Sequence, residues 1–437
     1  MMQVQVLWGI GGMLVVLLLA FAMSTNRRAI NPRTVLGALA IQILFAVVVL
    51  RWDLGKQALS AVSSAVQKVL DSSKEGIEFM VGPILPTEGT VVAFQVLPII
   101  IFISALTAVL YHWNILQWVV RILGGALAKV LGTSRPESLN ATANIFLGMT
   151  EAPLMVRPYL PRMTRSEFFA VMGGGLATVA GTVMVGYAML GASLDHLIAA
   201  SFMAAPAGLL MSKIIVPETE KQTSSTAVTG STAKDAPEAT TAEDADGAET
   251  RAVATRTEVA EAVEDKPRNV IDAAATGASD GLKLALNVGA MLFAFVSLIA
   301  LANLIIGGVG GLFGLADLTL QQILGYVFSP LMWVIGVPWH EAVAAGGFVG
   351  EKIVLNEFVA FADFGPQIDQ FSEKSATIIT FALTGFANLG SLGILLGGLG
   401  GMVPSKRSWI ARDGFRAIIA GTLANLLSAT IAGILVA

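Results

Sequence analysis

Apolar residues gather in eight runs near the ~20 residues that cross a bilayer as a helix: 5–23, 33–50, 94–111, 168–190, 194–215, 284–306, 376–399 and 413–436. The fold class that follows is an all-α polytopic membrane protein with eight transmembrane helices. Two further stretches, 137–160 and 340–366, are moderately apolar but broken at their middles, one by Glu151-Ala152-Pro153 and the other by Asn356-Glu357. Each is too long for an apolar loop and too interrupted for a clean span. Both are expected to be re-entrant hairpins, tolerable in a membrane only where the tip is buried in protein or lines a cavity.

Hairpin, span, span over about 137–216 recurs over about 340–436, and under an eight-span count the second copy enters from the opposite face. Inverted repeats whose broken helices meet near the midplane mark secondary transporters. Basic residues orient the array. Arg27, Arg28 and Arg33 follow the first span; Arg121, Lys129, Arg135, Arg157, Arg162 and Arg165 lie between the third and fourth; Lys406, Arg407 and Arg412 precede the last. All three clusters fall on one face, which the positive-inside rule makes cytoplasmic, with both termini outside. Trp8, Trp52, Trp113, Trp118, Trp339 and Trp409 fall near predicted span ends, as an aromatic belt predicts.

Composition narrows the chemistry. The 437 residues are 55% hydrophobic and 13% charged, far from the roughly one-quarter charged of a soluble domain. Without cysteine there are no disulfides, iron–sulfur clusters or thiol chemistry. His112, His196 and His340 lack metal-binding spacing, and the glycine-rich stretch from Gly346 to Lys352 lacks a P-loop ending. Met1 to Val6 carries no basic residue, so no signal peptide is expected. The formal charge of −4 is local: Pro217 to Arg268 holds twelve acids and six bases, leaving the rest at +2. That segment has no aromatic residue and reads as a disordered acidic linker.

Glu151 and Glu357 carry the functional signal. A lone charge in the bilayer costs about 2.5–3.5 kcal/mol on insertion scales, so an embedded acid marks a functional site by default. The plainer alternatives are a loop acid at a hairpin mouth and a snorkelling residue at an interface. Apolar flanks and the want of an adjacent base argue against both. Lys352 is five residues from Glu357 and does not share its helical face. Phe386-Ala387-Asn388-Leu389-Gly390-Ser391 interrupts the seventh run with groups able to bond a hydroxylated solute, or else another helix. Ala177-Thr178-Val179-Ala180-Gly181-Thr182 stands at the matching place in the first copy. Unwound there, it would present the hard oxygen ligands that an alkali cation prefers. The paired glycines at Gly307-Gly308, Gly310-Gly311, Gly397-Gly398 and Gly400-Gly401 are expected to serve packing and flexibility.

An intramembrane hydrolase would need an activated nucleophile or a metal with waters, and neither motif supplies one, so no enzymatic activity is expected. A passive channel fits poorly with carboxylates on interrupted hairpins. Three separated motifs, Asn144-Ile145-Phe146-Leu147-Gly148-Met149-Thr150-Glu151-Ala152-Pro153-Leu154, Val354-Leu355-Asn356-Glu357-Phe358-Val359-Ala360 and Gly385-Phe386-Ala387-Asn388 with Ser391, together resemble the concentrative nucleoside transporters. The similarity covers nearly the whole chain outside the linker. It implies a homotrimer of eight spans and two re-entrant hairpins, with a transport domain moving against a scaffold in a bacterial inner membrane. The divisions are 1–113 (scaffold helices and an outer amphipathic segment), 114–216 (first hairpin repeat), 217–268 (cytoplasmic linker), 269–339 (scaffold helix and outer helix) and 340–437 (second hairpin repeat).

By resemblance, Thr150 and Glu151 face the nucleobase, Phe386 packs on it, and Glu357, Asn388 and Ser391 bind ribose hydroxyls. Charge-assisted bonds are about twice as strong as neutral ones, which suits a costly Glu357 to sugar hydroxyls. Asn144, Thr178 and the carbonyls of Leu147 and Val179 match the family's sodium ligands. Their presence favours sodium as the coupling ion. A proton-coupled carrier, or a carrier of another ribosylated solute, is the alternative. No other cofactor and no nucleic-acid partner is expected.

One position departs from the family pattern Gly-Gln-Thr/Ser-Glu: Met149 stands where glutamine is usual. A thioether barely accepts a hydrogen bond, so base recognition is expected to be looser, or else selectivity is little changed. Met149→Gln should therefore raise the ratio of uridine to purine-nucleoside uptake. An unchanged ratio would show that Met149 only fills space.

Overall fold

A computed structural model describes residues 2–85, 91–220, 267–315 and 317–436, and among them there is no strand. The linker expected over 217–268 lies outside the described residues except at its two edges. The chain opens with α1 (Met2–Ala22) and α2 (Pro32–Leu50), apolar over most of their length. Asn31 caps α2 by accepting from the Arg33 amide, and proline fills the first turn, where no donor is missed. The outer segment α3 (Asp53–Val81) is amphipathic. It buries Leu59, Ser63, Leu70, Ser73 and Ile77 along one stripe and leaves Lys56, Lys68, Asp71, Lys74, Glu75 and Glu78 outside.

Next come α4 (Leu97–His112), α5 (Ile115–Leu131) and α6 (Arg135–Ala143). A mostly non-helical passage leads to α7 (Arg165–Ala177), α8 (Gly181–Met189) and α9 (Leu194–Ile215). After the linker run α10 (Val270–Gly311), α11 (Leu320–Val334), α12 (Trp339–Val354), α13 (Glu357–Phe364), α14 (Glu373–Leu383), α15 (Ser391–Met402) and α16 (Arg407–Val436). One order of elements thus occurs twice. An interrupted stretch, a broken helix pair and a long helix appear as α6 to α9 and again as α12 to α16.

Among the described residues seven stretches are long and apolar enough to cross a membrane: Gln5–Ala22, Pro32–Leu50, Val92–His112, Arg165–Met189, Leu194–Ile215, Val270–Gly311 and Pro404–Val436. An eighth exists only if α11 and α12, which meet at 118°, count as one span. The run expected to form a seventh span, 376–399, is instead two short helices, α14 of 11 residues and α15 of 12. The run at 284–306 is the middle of a 42-residue helix. At 1.5 Å per residue α10 is about 63 Å long, roughly twice the hydrocarbon thickness. In the stretch 137–160 only the first arm is a regular helix. Pro153, Pro158 and Pro161 reduce the second to short 3₁₀ turns at Ala152–Val156 and Leu160–Arg162.

Burial sorts these helices into a centre and a periphery. Nine-tenths of the α9 span is buried, against 6% for α10. Small residues let the central helices touch: Gly208 lies on Gly174 and Ala177, and Gly421 on Leu176. Gly277 and Gly281, one turn apart, seat α10 on Ser104, Ala105 and Ala108 of α4. Of the paired glycines, Gly398 lies against the Thr150 methyl and Gly310 against the Leu315 carbonyl.

The three basic loops meet at one end of the molecule. Arg33 donates to the carbonyls of Lys129 (2.7 Å) and Val130 (3.3 Å). Lys406 donates to the Met163 carbonyl, and Arg165 grips Asp413 with two bonds of 2.9 and 2.7 Å. Within the protein at the same end, Lys213 pairs with Glu137 at 2.7 Å, joining α9 to α6. Trp52, Trp113, Trp118 and Trp339 are more than half exposed. Trp8 and Trp409 are packed instead, against Trp333 (5.5 Å) and Phe168 (6.1 Å).

At the centre two helix breaks face each other. α7 ends at Ala177 and α8 restarts at Gly181; α14 ends at Leu383 and α15 restarts at Ser391. The Phe386 amide donates to the Thr178 carbonyl at 3.1 Å, bonding one break directly to the other. Asn425 of α16 donates both amide hydrogens, to Ala177 O (2.6 Å) and Thr384 O (2.7 Å). Its Oδ1 accepts from Lys352 Nζ at 2.7 Å, and the same ammonium donates to Ala382 O at 2.7 Å. Gly385, at φ +154°, lies against Asn425 and Ala177 O so closely that any side chain would overlap them. Asn425→Leu would strand two carbonyls and a fully buried lysine. It should lower folding stability by about 2–5 kcal/mol, read as a fall in Tm in detergent. An unchanged Tm would show that the breaks hold without it.

Candidate functional site

The breaks and the two interrupted stretches enclose one cavity of about 490 Å³, within the range of small-molecule sites. All seven residues predicted to contact a solute line it: Met149, Thr150, Glu151, Glu357, Phe386, Asn388 and Ser391. The first three come from the passage after α6. Glu357 opens α13, and the last three come from the second break and the start of α15. α10 closes the far wall with Leu284, Asn287, Val288 and Met291.

Local sequence explains each placement. Asn356 caps α13 by accepting from the Val359 amide at 2.9 Å, which puts Glu357 in the first helical turn, where a negative charge is favoured. Its carboxylate is 5% exposed and held from two sides. Tyr187 donates to Oε1 at 3.0 Å and Asn388 to Oε2 at 2.9 Å. The Tyr187 ring stacks on Phe361 (4.4 Å) and meets Phe358 edge-on (5.4 Å), so the hydroxyl is fixed in place. Asn388 Oδ1 accepts from the Ser391 amide (2.8 Å) and lies 3.1 Å from its hydroxyl, which donates to Phe386 O at 2.6 Å. The second break is thereby a closed polar turn with one carboxylate at its rim.

The opposite wall is softer. Met149 is buried and rests on Gly175, where a side chain would collide with it. Thr150 is half-buried against Gly398, and Glu151 is exposed, its carboxylate folded over Gly148. Glu151 also lines an adjoining cavity of about 480 Å³. That cavity shares Gly148, Ala180, Thr182 and Leu284 with the first and reaches Arg157, Pro267 and Asp280. The site therefore communicates with the end of the molecule that gathers the basic loops.

The four predicted sodium ligands flank the first break. Asn144 caps the C-terminus of α6, is fully buried, and has neither amide atom hydrogen-bonded. An unpaired buried amide is costly, and this one lies beside Gly174 and Gly175 in the last turn of α7. Thr178 donates to Gly174 O (3.0 Å) and Gly175 O (3.3 Å), which leaves the lone pairs of its hydroxyl free. The carbonyls of Leu147 and Val179 accept no hydrogen bond from the described residues. Uncharged oxygens with unused lone pairs fit a hard monovalent cation. No cluster of three His, Asp or Glu residues occurs among the described residues.

Tyr187, Asn287 and Asn425 are part of the site and were not marked by sequence reasoning. Each is a lone polar group in an apolar helix, which was a usable signal.

Comparison with known proteins identifies the family. Family models described as the Na+ dependent nucleoside transporter C-terminus and N-terminus match residues 196–433 and 11–84, and one described as nucleoside recognition matches 93–194. The chain belongs to the Na+-dependent, or concentrative, nucleoside transporter family. It is 51% identical to the Bacillus subtilis protein described as uncharacterized transporter YutK, over 99% of this chain and 100% of that one. It is 43% identical to the nucleoside permease NupC of Helicobacter pylori, over 98% of each. The structure of CNTnw in an inward-facing substrate-bound state superposes with a TM-score of 0.87 at 47% identity, over 100% of this chain and 98% of that one. CNTnw variants in outward-facing and intermediate states are equally similar, with TM-scores of 0.86 to 0.88. The protein is thus a multi-pass membrane transporter for nucleosides.

Tyr187→Phe removes one bond to the Glu357 carboxylate and little packing. Hydrogen bonds to charged groups contribute about 1.5–3 kcal/mol, so the KM for nucleoside uptake should rise about tenfold or more with protein level unchanged. An unaltered KM would show that Tyr187 does not set the carboxylate's position.

Proposed function

We propose that this transporter imports nucleosides across the bacterial inner membrane by sodium symport. The observation that carries the reading is that seven side chains from three separate chain segments line a single cavity. Ribose hydroxyls would donate to Glu357 and bond Asn388 and Ser391, replacing part of the polar turn those groups now make with one another. The base would lie between Phe386 and Met149 to Glu151. Sodium at Asn144, Leu147, Thr178 and Val179 would order the passage after α6, and Leu147 is only two residues before Met149. One short segment then holds ligands for both cargoes. Sodium binding pre-forms the base wall, and the ordering entropy of that wall is met by the first ligand and not the second.

The adjoining cavity toward Arg157 and Asp280 supports a state open to the cytoplasm, given the positive-inside orientation with both termini outside. In this reading residues 114–216 and 340–437 form the moving transport domain, entered by two re-entrant hairpins. Residues 1–113 and 269–339 form the scaffold. Through most of its length α10 is apolar all round, a surface that lipid or another subunit must cover. A homotrimer supplies that cover together with the bilayer.

Uptake of radiolabelled uridine and adenosine into proteoliposomes tests this. An inward sodium gradient should drive accumulation, and Glu357→Gln should abolish it in correctly inserted protein. Flux independent of any ion gradient, or near-normal uptake by Glu357→Gln, would overturn the reading.

A further inference from the structure

The cavity that adjoins the solute site has polar walls of its own. At about 480 Å³ it matches its neighbour in size and falls in the same range of small-molecule sites. α4 supplies Ser104, Thr107 and Tyr111, whose offsets of three and four residues put them on one helical face. α10 supplies Thr276 and Asp280, one turn apart, and the passage after α6 supplies Glu151 and Arg157. Three separate segments thus turn hydrogen-bonding groups to one space. Gly277 and Gly281 seat α10 on Ser104, Ala105 and Ala108 behind it, so the α4 and α10 sides form one continuous wall.

That wall runs on into the solute cavity. Thr276, Asp280 and Asn287 are separated by four and seven residues, which keeps all three on one face of α10. Leu284, on the same face between Asp280 and Asn287, lines both cavities. At 1.5 Å per residue these polar rungs fall about 6 Å and about 10 Å apart along the helix. Glu151 lines both cavities from the opposite wall. A solute that leaves Glu357 and Asn388 therefore moves along a file of hydrogen-bonding groups. The charges beside the inner cavity balance. Glu151 and Asp280 are offset by Arg157 and by Lys283, which lies 3.1 Å from Asp280. A balanced set favours neither a free anion nor a free cation, and it suits a neutral solute carrying several hydroxyls.

We propose that the inner cavity is a second nucleoside-binding position, occupied after release from Glu357 and before escape at the end that gathers the basic loops. Ribose hydroxyls donate to the Asp280 carboxylate and bond Thr276, and the base lies along the Tyr111 ring on the α4 wall. Glu151 faces the solute in both positions. Bonds given up at Glu357 and Asn388 are replaced at Asp280 and Thr276, so the solute is not stripped of all partners in one step. This second position rests on the transporter reading above.

Equilibrium binding of radiolabelled uridine to the purified full-length protein in sodium tests it. The wild type should bind in two components, one tight and one weak, and approach two uridines per chain. Glu357→Gln should lose the tight component and keep the weak one. Asp280→Ala combined with Thr276→Val should do the reverse; both positions are exposed on α10, so the fold is expected to tolerate the change. Tyr111→Ala, on the other helix, should also remove the weak component and preserves the test if the double variant does not fold. Saturation of wild type at one uridine per chain, or a weak component that survives these substitutions, overturns the proposal. In proteoliposomes the double variant should raise the KM for uridine offered from the inner-cavity side about tenfold, against a shift within about twofold from the other side. Equal shifts from both sides overturn the release position. Absence of both binding and uptake in wild type refutes the transporter reading with it. Uptake accompanied by a single binding component refutes the second position alone.

Discussion

A helix that stops inside a membrane leaves carbonyls and amides that no water can reach, and everything central in this protein follows from how two such stops satisfy each other. The Thr178 carbonyl meets the Phe386 amide, and Asn425 answers the Ala177 and Thr384 carbonyls from a third helix. Unsatisfied backbone groups in hydrocarbon cost several kcal/mol each, so neither break is stable alone. Two breaks clasped by one asparagine form a unit. Lys352 completes it, its Nζ bonded to Asn425 and to the last turn of α14.

That unit determines what can stand on either side. The first break carries Thr178 and Val179, which with Asn144 present oxygens suited to a cation. The second carries Phe386, Asn388 and Ser391, which with Glu357 present groups suited to a hydroxylated solute. The hydrogen bond from the Phe386 amide to the Thr178 carbonyl is the peptide contact through which a change at one proposed set of ligands would reach the other. The family to which the chain belongs is named for sodium dependence, and under the proposed sodium symport this contact would join the two sites. Met149 puts a thioether where the family pattern has an amide, beside Thr150 and Glu151 in the cavity wall.

Much of this was legible from residues alone. Glu151 and Glu357 stood out because a membrane makes charge expensive, and helix-interrupting neighbours marked them as tips. Thr178 and Asn388 were found because their breaks carry hydroxyls and amides amid glycine. What escaped was partnership. Asn425 and Tyr187 read as single polar residues in apolar helices, and nothing in a linear sequence says that one spans both breaks while the other holds Glu357. The expected span at 376–399 failed for a related reason: average hydropathy cannot distinguish one helix from two short ones sharing an apolar run. The length of α10 was hidden because its first turns are polar and its middle alone looks like a span.

Coupling of the proposed cation and solute sites through the paired breaks is measured most directly by reciprocal binding. Titration calorimetry of the purified protein with uridine and adenosine, in sodium and in choline at equal ionic strength, reports the coupling without transport. Couplings of this kind are typically about 5- to 150-fold in affinity. The account predicts a nucleoside Kd lower by a factor in that range in sodium, with the difference lost in Asn144→Ala. Equal affinity in the two salts would contradict it.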